Sequence, residues 1–255
     1  MKNKYSFLTK IAVLPLLCSH ACDQKTRSKD EGFVNIFDGQ TLSGWSGDTT
    51  YWTVQNGNLV GTVTPETLLK SNSFIVWQGG QPENFELRLE YRISESGNSG
   101  VNYRSDYFRD QLYALQGYQC DIDGKLRYVG QNYEEKKRTT LAYMGEKVKV
   151  GHWSKPDSVV SLRANIKKNC WQTREVIEEM LPKDSLKAHI KQNDWNQVLI
   201  VAHENLLKHY VNGLLMSEVL DNDTINRMSK GYIGVQVHVG PPMKVEFRNI
   251  QLKEM

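Results

Sequence analysis

The sequence predicts an all-β protein: a two-sheet antiparallel sandwich with one short helical insertion. Strict alternation in "FELRLEYRI" is the first observation behind this. Phe85, Leu87, Leu89, Tyr91 and Ile93 take one face, and Glu86, Arg88, Glu90 and Arg92 take the other. A period of two belongs to a strand with one wet side. The second is repetition, since similar short runs recur as "FVNIF", "YWTVQ", "NLVGT", "SFIVWQ", "GVNYR", "NQVLIVAHE", "KHYV", "GYIGVQVHV" and "KVEFRNIQL". The third is punctuation: Asp-Gly or Asn-Gly pairs stand at residues 38–39, 56–57, 123–124 and 212–213. Such pairs favour tight hairpin turns, and many short strands between them make a sandwich.

At 255 residues and 39% hydrophobic content the chain can bury a sizeable core. No Pro/Gly/Ser-rich linker divides its middle, so residues 33–255 are expected to form one domain. Ahead of it, Lys2, Lys4 and Lys10 precede the apolar "IAVLPLL" and the small residues of "CSHAC", the layout of an export signal over residues 1–22. Pro15 disfavours a buried helix there, and seven apolar residues are too few to span a bilayer. Cys22 is the expected lipidation site, with plain cleavage nearby as the alternative; residues 23–32 then form a charged tether. Export to a periplasmic or outer-surface location follows, with membrane contact only through the lipid.

Cleavage would remove three lysines and no acids, leaving 29 basic against 29 acidic side chains. Nucleic acid is not an expected partner, because phosphate binding needs a surplus of Lys and Arg. In the mature body Cys120 and Cys170 remain, either paired or as two buried thiols; the inward position of Cys120 on its strand favours thiols.

Each strand then assigns faces. In "GYQCDID", Tyr118, Cys120 and Ile122 point inward, while Gln119, Asp121 and Asp123 project together. In "GYIGVQVHVG", Val235, Val237 and Val239 are expected in the core, with Gln236 and His238 opposite. In "GNSGVNYRSD", Val101 and Tyr103 alternate with Asn102 and Arg104, and Gly97 and Gly100 suggest a tight turn. If those strands are neighbours, their polar faces form a groove that reads sugar hydroxyls; if not, they are an ordinary wet sheet face. Two carboxylates on such a face can share a metal or divide acid and base roles. "RYVGQNYEEKKRTTLA" is expected as a loop carrying Tyr128, Tyr133, Glu134, Glu135 and Arg138 beside this groove.

The helical insertion is placed in "TREVIEEMLPKDSLKAHIKQNDW". Val176, Ile177, Met180 and Leu181 have helical spacing, and a second short helix after Asp184 or Ser185 carries Leu186 and Ile190 inward. Trp45, Trp52 and Trp195 are expected in packing roles. In "FRNIQL" the interval between Phe247 and Ile250 suggests a bulge. No phosphate-binding glycine loop, HExxH, paired CxxC or Gly-x-Ser-x-Gly elbow occurs, which disfavours common kinases, zincins and serine hydrolases.

Five segments in order, "FVNIFDGQTLSGW", "NFELRLEYRISESGNSGVNYRS", "GYQCDIDGKLRYVGQNYEE", "DWNQVLIVAHENLLKHYVNG" and "GYIGVQVHVGPPMKVEFRNIQLKE", resemble the 3-keto-disaccharide hydrolase domain family over roughly residues 33–254. The resemblance implies a concanavalin A-like jelly roll acting on a small carbohydrate, a glycoside oxidised at C3, by hydrolysis or by elimination and hydration. It also implies one divalent metal ion in many members. Where many members carry Glu, Gln and Asp, this chain has Gln119, Asp121 and Asp123, so a carboxylate has moved. The resemblance thereby points to Asp121 and His238 as metal or base residues, Arg104 as donor to an oxyanion and Glu135 as acid. Gln119, Gln236 and Asn102, with Arg138 and Tyr133, would bind substrate. Asp123 is expected at its turn, bonded to Gly124, and His209 is a weaker candidate than His238. A non-catalytic carbohydrate-binding module and an ordinary two-carboxylate glycosidase are the competing readings.

Overall fold

The computed structural model describes Met1, residues 32–152, Trp171 and residues 173–255. The expected export signal, Cys22, residues 23–31 of the tether and Cys170 lie outside the described residues. Cys120 is a buried free thiol.

The alternating stretch Phe85–Ile93 forms β6. Its five apolar side chains are buried and the charged residues between them are half-buried. Fully burying each such side chain contributes roughly 1.5–3 kcal/mol, which fixes the strand's register, since a slip of one residue would turn every apolar group outward.

Two sheets form the sandwich. Among the described residues the larger runs in the order β12 (Arg174–Glu179), β11 (Glu146–Val150), β15 (Leu214–Asp221), β14 (Leu206–Val211), β13 (Asn196–His203), β6, β17 (Met243–Glu254), β4 (Asn58–Val63) and β3 (Trp52–Gln55). The short β1 (Val34–Asn35) adds to β17. The smaller runs β10 (Thr139–Ala142), β9 (Asn132–Glu135), β8 (Leu115–Asp123), β7 (Asn98–Tyr107), β16 (Tyr232–Val237), β5 (Ser73–Trp77) and β2 (Trp45–Ser46). Pairing is antiparallel except between β11 and β15, which run parallel. The architecture is the concanavalin A-like jelly roll.

Aromatic rings fill the space between the sheets. Tyr103 stacks on Tyr118 with ring centres 5.6 Å apart, and Trp52 lies 6.4 Å from Phe247. Trp45 and Trp52 are buried as expected, whereas Trp195 is half-buried beneath the guanidinium of Arg248, 3.9 Å from its ring. The bulge in β17 falls between Arg248 and Gln251, where Asn249 takes φ 52°.

Three expectations are corrected. Residues 174–179 form β12, not a helix: β-branched Val176 and Ile177 suit a strand, β11 supplies the partner, and both side chains stay exposed. The helix that does form, α1 (Lys183–Lys187), buries Leu186, with Ile190 beyond it also buried. The expected loop around 128–138 contains the β9–β10 hairpin, turned at Lys136 with φ 55°. Val239 lies past the end of β16 and is exposed.

Candidate active site

β8, β7 and β16 are consecutive neighbours in the smaller sheet, so the polar faces read from sequence share one surface. Register places Asp121 opposite Gly100 and Gln119 opposite Asn102, with Gly234 of β16 beyond Asn102. Gly100 is inside β7, not at a turn, and its missing side chain has a purpose. A Cβ there would sit 2.4 Å from Cδ of Gln119. The Gln119 amide therefore lies across β7, accepting from Gln236 Nε2 at 3.2 Å and donating to Asp121 Oδ1 at 2.5 Å.

Asp121 Oδ2 accepts from Gln131 Nε2 at 2.6 Å, so neutral amides hold both carboxylate oxygens. Glu135 on β9 accepts from Asn72 Nδ2 at 3.3 Å. Both acids, with Gln119, Gln131, Tyr133 and His238, line a pocket of about 270 Å³. Asn72, Asn98 and Tyr128 complete its walls. The face expected to be wet is thus mostly buried under this pocket: Asp121 is 7% exposed and Glu135 8%.

Burial sets the proton affinities. It pushes the Asp121 carboxyl up to about 7, with the Glu135 and Asp123 charges adding to the rise and the two amide donors opposing it. Burial also raises Glu135, against the pull of Lys136 and the amides of Asn72 and Gln236. Tyr133 is raised by burial and by both carboxylates, so its hydroxyl stays a neutral donor. His238 is lowered by burial. Its Nδ1 lies 2.5 Å from the Val239 carbonyl, which places the proton of the neutral ring on Nδ1 and leaves Nε2 as an acceptor.

Several expected site residues lie elsewhere. Arg104 has φ 43° at a bulge in β7, and this breaks the alternation that would have aimed it at the groove. Its guanidinium donates instead to the carbonyls of Glu83 and Glu204. Arg138 is buried in an ionic knot with Glu134 and Asp221, away from the pocket walls. Asn102 and Gln236 are completely buried, so neither is a pocket wall. Gln236 supports Gln119; the amide atoms of Asn102 have no hydrogen-bond partner. Asp123 sits at its turn, but its carboxylate accepts from the Arg127 backbone and guanidinium while Gly124 N donates to Gly97. His209 is buried at 2.9 Å from the Tyr103 hydroxyl, its pKa pushed down to about 4 by burial.

Gln131 was available from alternation, because "QNYEE" places Gln131, Tyr133 and Glu135 on one face once the segment is read as a strand. Asn72 and Asn98 carried no comparable signal. Their place in the pocket follows from β5 and β7 meeting β16 and β8, a long-range pairing.

The expected metal pair, Asp121 with His238, lines one pocket, but no group of three His, Cys, Asp or Glu suited to a metal ion occurs among the described residues. Both Asp121 oxygens also face N–H donors. That donor set does not fit a resident divalent ion, which asks for several oxygen or nitrogen ligands with free lone pairs.

A family model described as 3-keto-alpha-glucoside-1,2-lyase-like domain matches residues 32–253. A 3-keto-disaccharide hydrolase of Bacteroides thetaiotaomicron is 31% identical over 80 residues, which span 29% of this chain and 27% of that protein. Among solved structures, one from Parabacteroides distasonis described as a presumptive glycosyl hydrolase aligns with a TM-score of 0.54 at 17% identity, covering 89% of this chain and 95% of that one. The carbohydrate-binding module CBM66 of Bacillus subtilis aligns with a TM-score of 0.50 at 17% identity, covering 83% and 96%. These structural likenesses establish the fold. The chain belongs to the 3-keto-alpha-glucoside-1,2-lyase-like domain family.

Proposed function

We propose that this member of a carbohydrate-active family cleaves glycosides whose sugar carries a ketone at C3, with Asp121 as base and Glu135 as acid. One observation carries the reading: two buried carboxylates of raised proton affinity face a single pocket together with a proton-accepting histidine nitrogen. A base whose proton affinity lies near neutrality and a second carboxyl group in the same pocket are what an elimination next to a ketone uses.

The ketone acidifies the C2 proton, and the Asp121 carboxylate removes it. The C2–H electron pair moves onto the C3 oxygen as an enolate, where the neutral Tyr133 hydroxyl donates a hydrogen bond. Re-forming the C3 carbonyl drives those electrons into a C1–C2 double bond and breaks the bond from C1 to the leaving oxygen. Glu135 gives that oxygen its proton. Water then adds to C1 while His238 Nε2 accepts a hydrogen bond from it; the proton that the water sheds passes to the Glu135 carboxylate, restoring that acid, and Asp121 returns its proton to C2. The net change is hydrolysis. In this scheme Gln119 and Gln131 position Asp121. Tyr133 takes the role that the family resemblance suggests for Arg104.

The test is turnover of a panel of 3-keto-glucosides by purified protein against the same glycosides with an intact C3 hydroxyl. Cleavage confined to the ketones supports the reading. A second reading comes from the same pair of acids, because an ordinary two-carboxylate glycosidase also needs one raised acid and one nucleophile or base. Cleavage of glycosides with an intact C3 hydroxyl selects that mechanism; binding of unmodified glycans without turnover, unaltered in Asp121→Asn, selects a binding module. The basic, apolar layout of residues 1–22 supports action outside the cytoplasm from a lipid anchor at Cys22.

A further inference from the structure

We propose that a second hollow beside the pocket is the leaving-group site and that it takes an aromatic aglycone. This rests on the cleavage reading above and names its substrate class. The hollow measures about 380 Å³ and shares Asn72 with the first pocket. Asn72 is thus the partition between them. It is held on each side: its Oδ1 accepts from Val239 N at 3.0 Å beside His238, and its carbonyl accepts from Gln111 Nε2 at 2.7 Å beside the hollow.

The partition carries a direction. Asn72 Nδ2 donates to Glu135, the residue that would protonate the departing oxygen. The acid therefore stands on the side of the pocket from which the second hollow opens, and a group expelled past Glu135 leaves toward it.

The walls choose the chemistry. Leu68 and Leu112 line the hollow and are 52% and 78% exposed, among the large apolar side chains that the fold leaves uncovered. Tyr51 and Tyr113, both half-buried, add two aromatic faces. Tyr113 takes φ 54° while its carbonyl accepts from Phe74 N at 2.8 Å, so the turn that carries it is pinned against β5. Asp48, Lys70, Ser71, Ser73 and Gln111 line the hollow as well, so its walls are mixed; the leucines gain by covering a flat hydrocarbon and the tyrosine faces stack on one, while the polar groups meet its substituents. A cavity of about 150 Å³ suffices for benzene, so the volume admits a substituted ring.

Leu68→Asp and Leu112→Asp change exposed side chains and should leave the fold intact. With phenyl 3-keto-glucoside the double variant is expected to lose about tenfold or more in kcat/KM, through KM, while methyl 3-keto-glucoside is turned over unchanged. An equal loss on both substrates, or no loss on the phenyl substrate, overturns the proposal. So does a wild-type preference for a 3-keto-disaccharide over the phenyl substrate, which would make the hollow a second sugar site. Calorimetry with unoxidised phenyl glucoside separates this failure from that of the cleavage reading. Binding by the wild type that weakens in the double variant upholds the aromatic site even if no ketone is cleaved, and binding unaffected by the double substitution removes it.

Discussion

Two buried acidic clusters lie within the same hairpin region and differ in every respect that matters to chemistry. On the inner side of β9, Glu134 meets Arg138, whose guanidinium also bonds both oxygens of Asp221, while Tyr118 donates to Asp221 at 2.5 Å. Both oxygens of Asp223 are held too, chiefly by Asn226 and neighbouring backbone N–H groups. On the outer side, Asp121 and Glu135 are held by the amides of Gln119, Gln131 and Asn72 and face an open pocket. In the knot the carboxylates are paired with a guanidinium. Around Asp121, amide donors leave burial dominant and its proton affinity rises to about 7; burial raises Glu135 as well, against the pull of Lys136. Alternation along one strand delivers Glu134 to the first environment and Glu135 to the second.

The sharpest way to break this comparison is Arg138→Met. It leaves buried carboxylates without their guanidinium, which typically costs about 3–5 kcal/mol, so thermal melting should show a large loss of stability and of all activity with it. Asp121→Asn should do the opposite: turnover falls by about 10²–10⁴-fold, while the melting temperature at pH 8 is not lowered. The sign follows from linkage. The folded carboxyl keeps its proton to about pH 7, whereas an unfolded aspartate releases it near 3.9, so the folded state binds more protons between these values. Stability contributed by this group therefore falls as pH rises from about 4 to 7, by on the order of 1.4 kcal/mol for each step of one in pH, and the asparagine variant should lack that fall in a melting series against pH.

How much of this contrast could be read from sequence depends on the strand. In β8 the sidedness of Gln119 and Asp121 is plain, because Tyr118, Cys120 and Ile122 alternate with them without interruption. Its burial is not, since the pocket over that polar face is walled by Asn72 and His238 from distant parts of the chain as well as by the nearby Gln131, Tyr133 and Glu135. Alternation misplaces Arg104 because a single left-handed residue reverses side-chain direction without any glycine to mark it. Arg138 escapes for a different reason: "EEKKR" has the composition of a solvated turn, while Arg138 is drawn inward by Asp221, more than eighty residues away, and pairs there with Glu134. Val176 to Leu181 fits helical and strand spacing alike, and pairing with β11 decides between them.

Smaller effects sharpen the account. Glu135→Gln should slow glycosides with poor leaving groups by about 10–100-fold and spare those whose leaving oxygen needs no proton, read from rates across a series of leaving-group acidities. Gln131→Leu removes one donor that lowers Asp121, so the rising limb of the pH–rate profile, set near 7 in the parent, should move to higher pH with a modest change in maximal rate. Gly100→Ala should act in the same direction by displacing the Gln119 amide from Asp121.

The central claim is that Asp121 removes the C2 proton, and competition between C2-protium and C2-deuterium forms of one 3-keto-glucoside measures that step. Slower consumption of the deuterated substrate by the wild type, with residual turnover lost in Asp121→Asn, is the predicted result. Equal consumption of both forms at every pH, with Asp121→Asn retaining full rate, would contradict it.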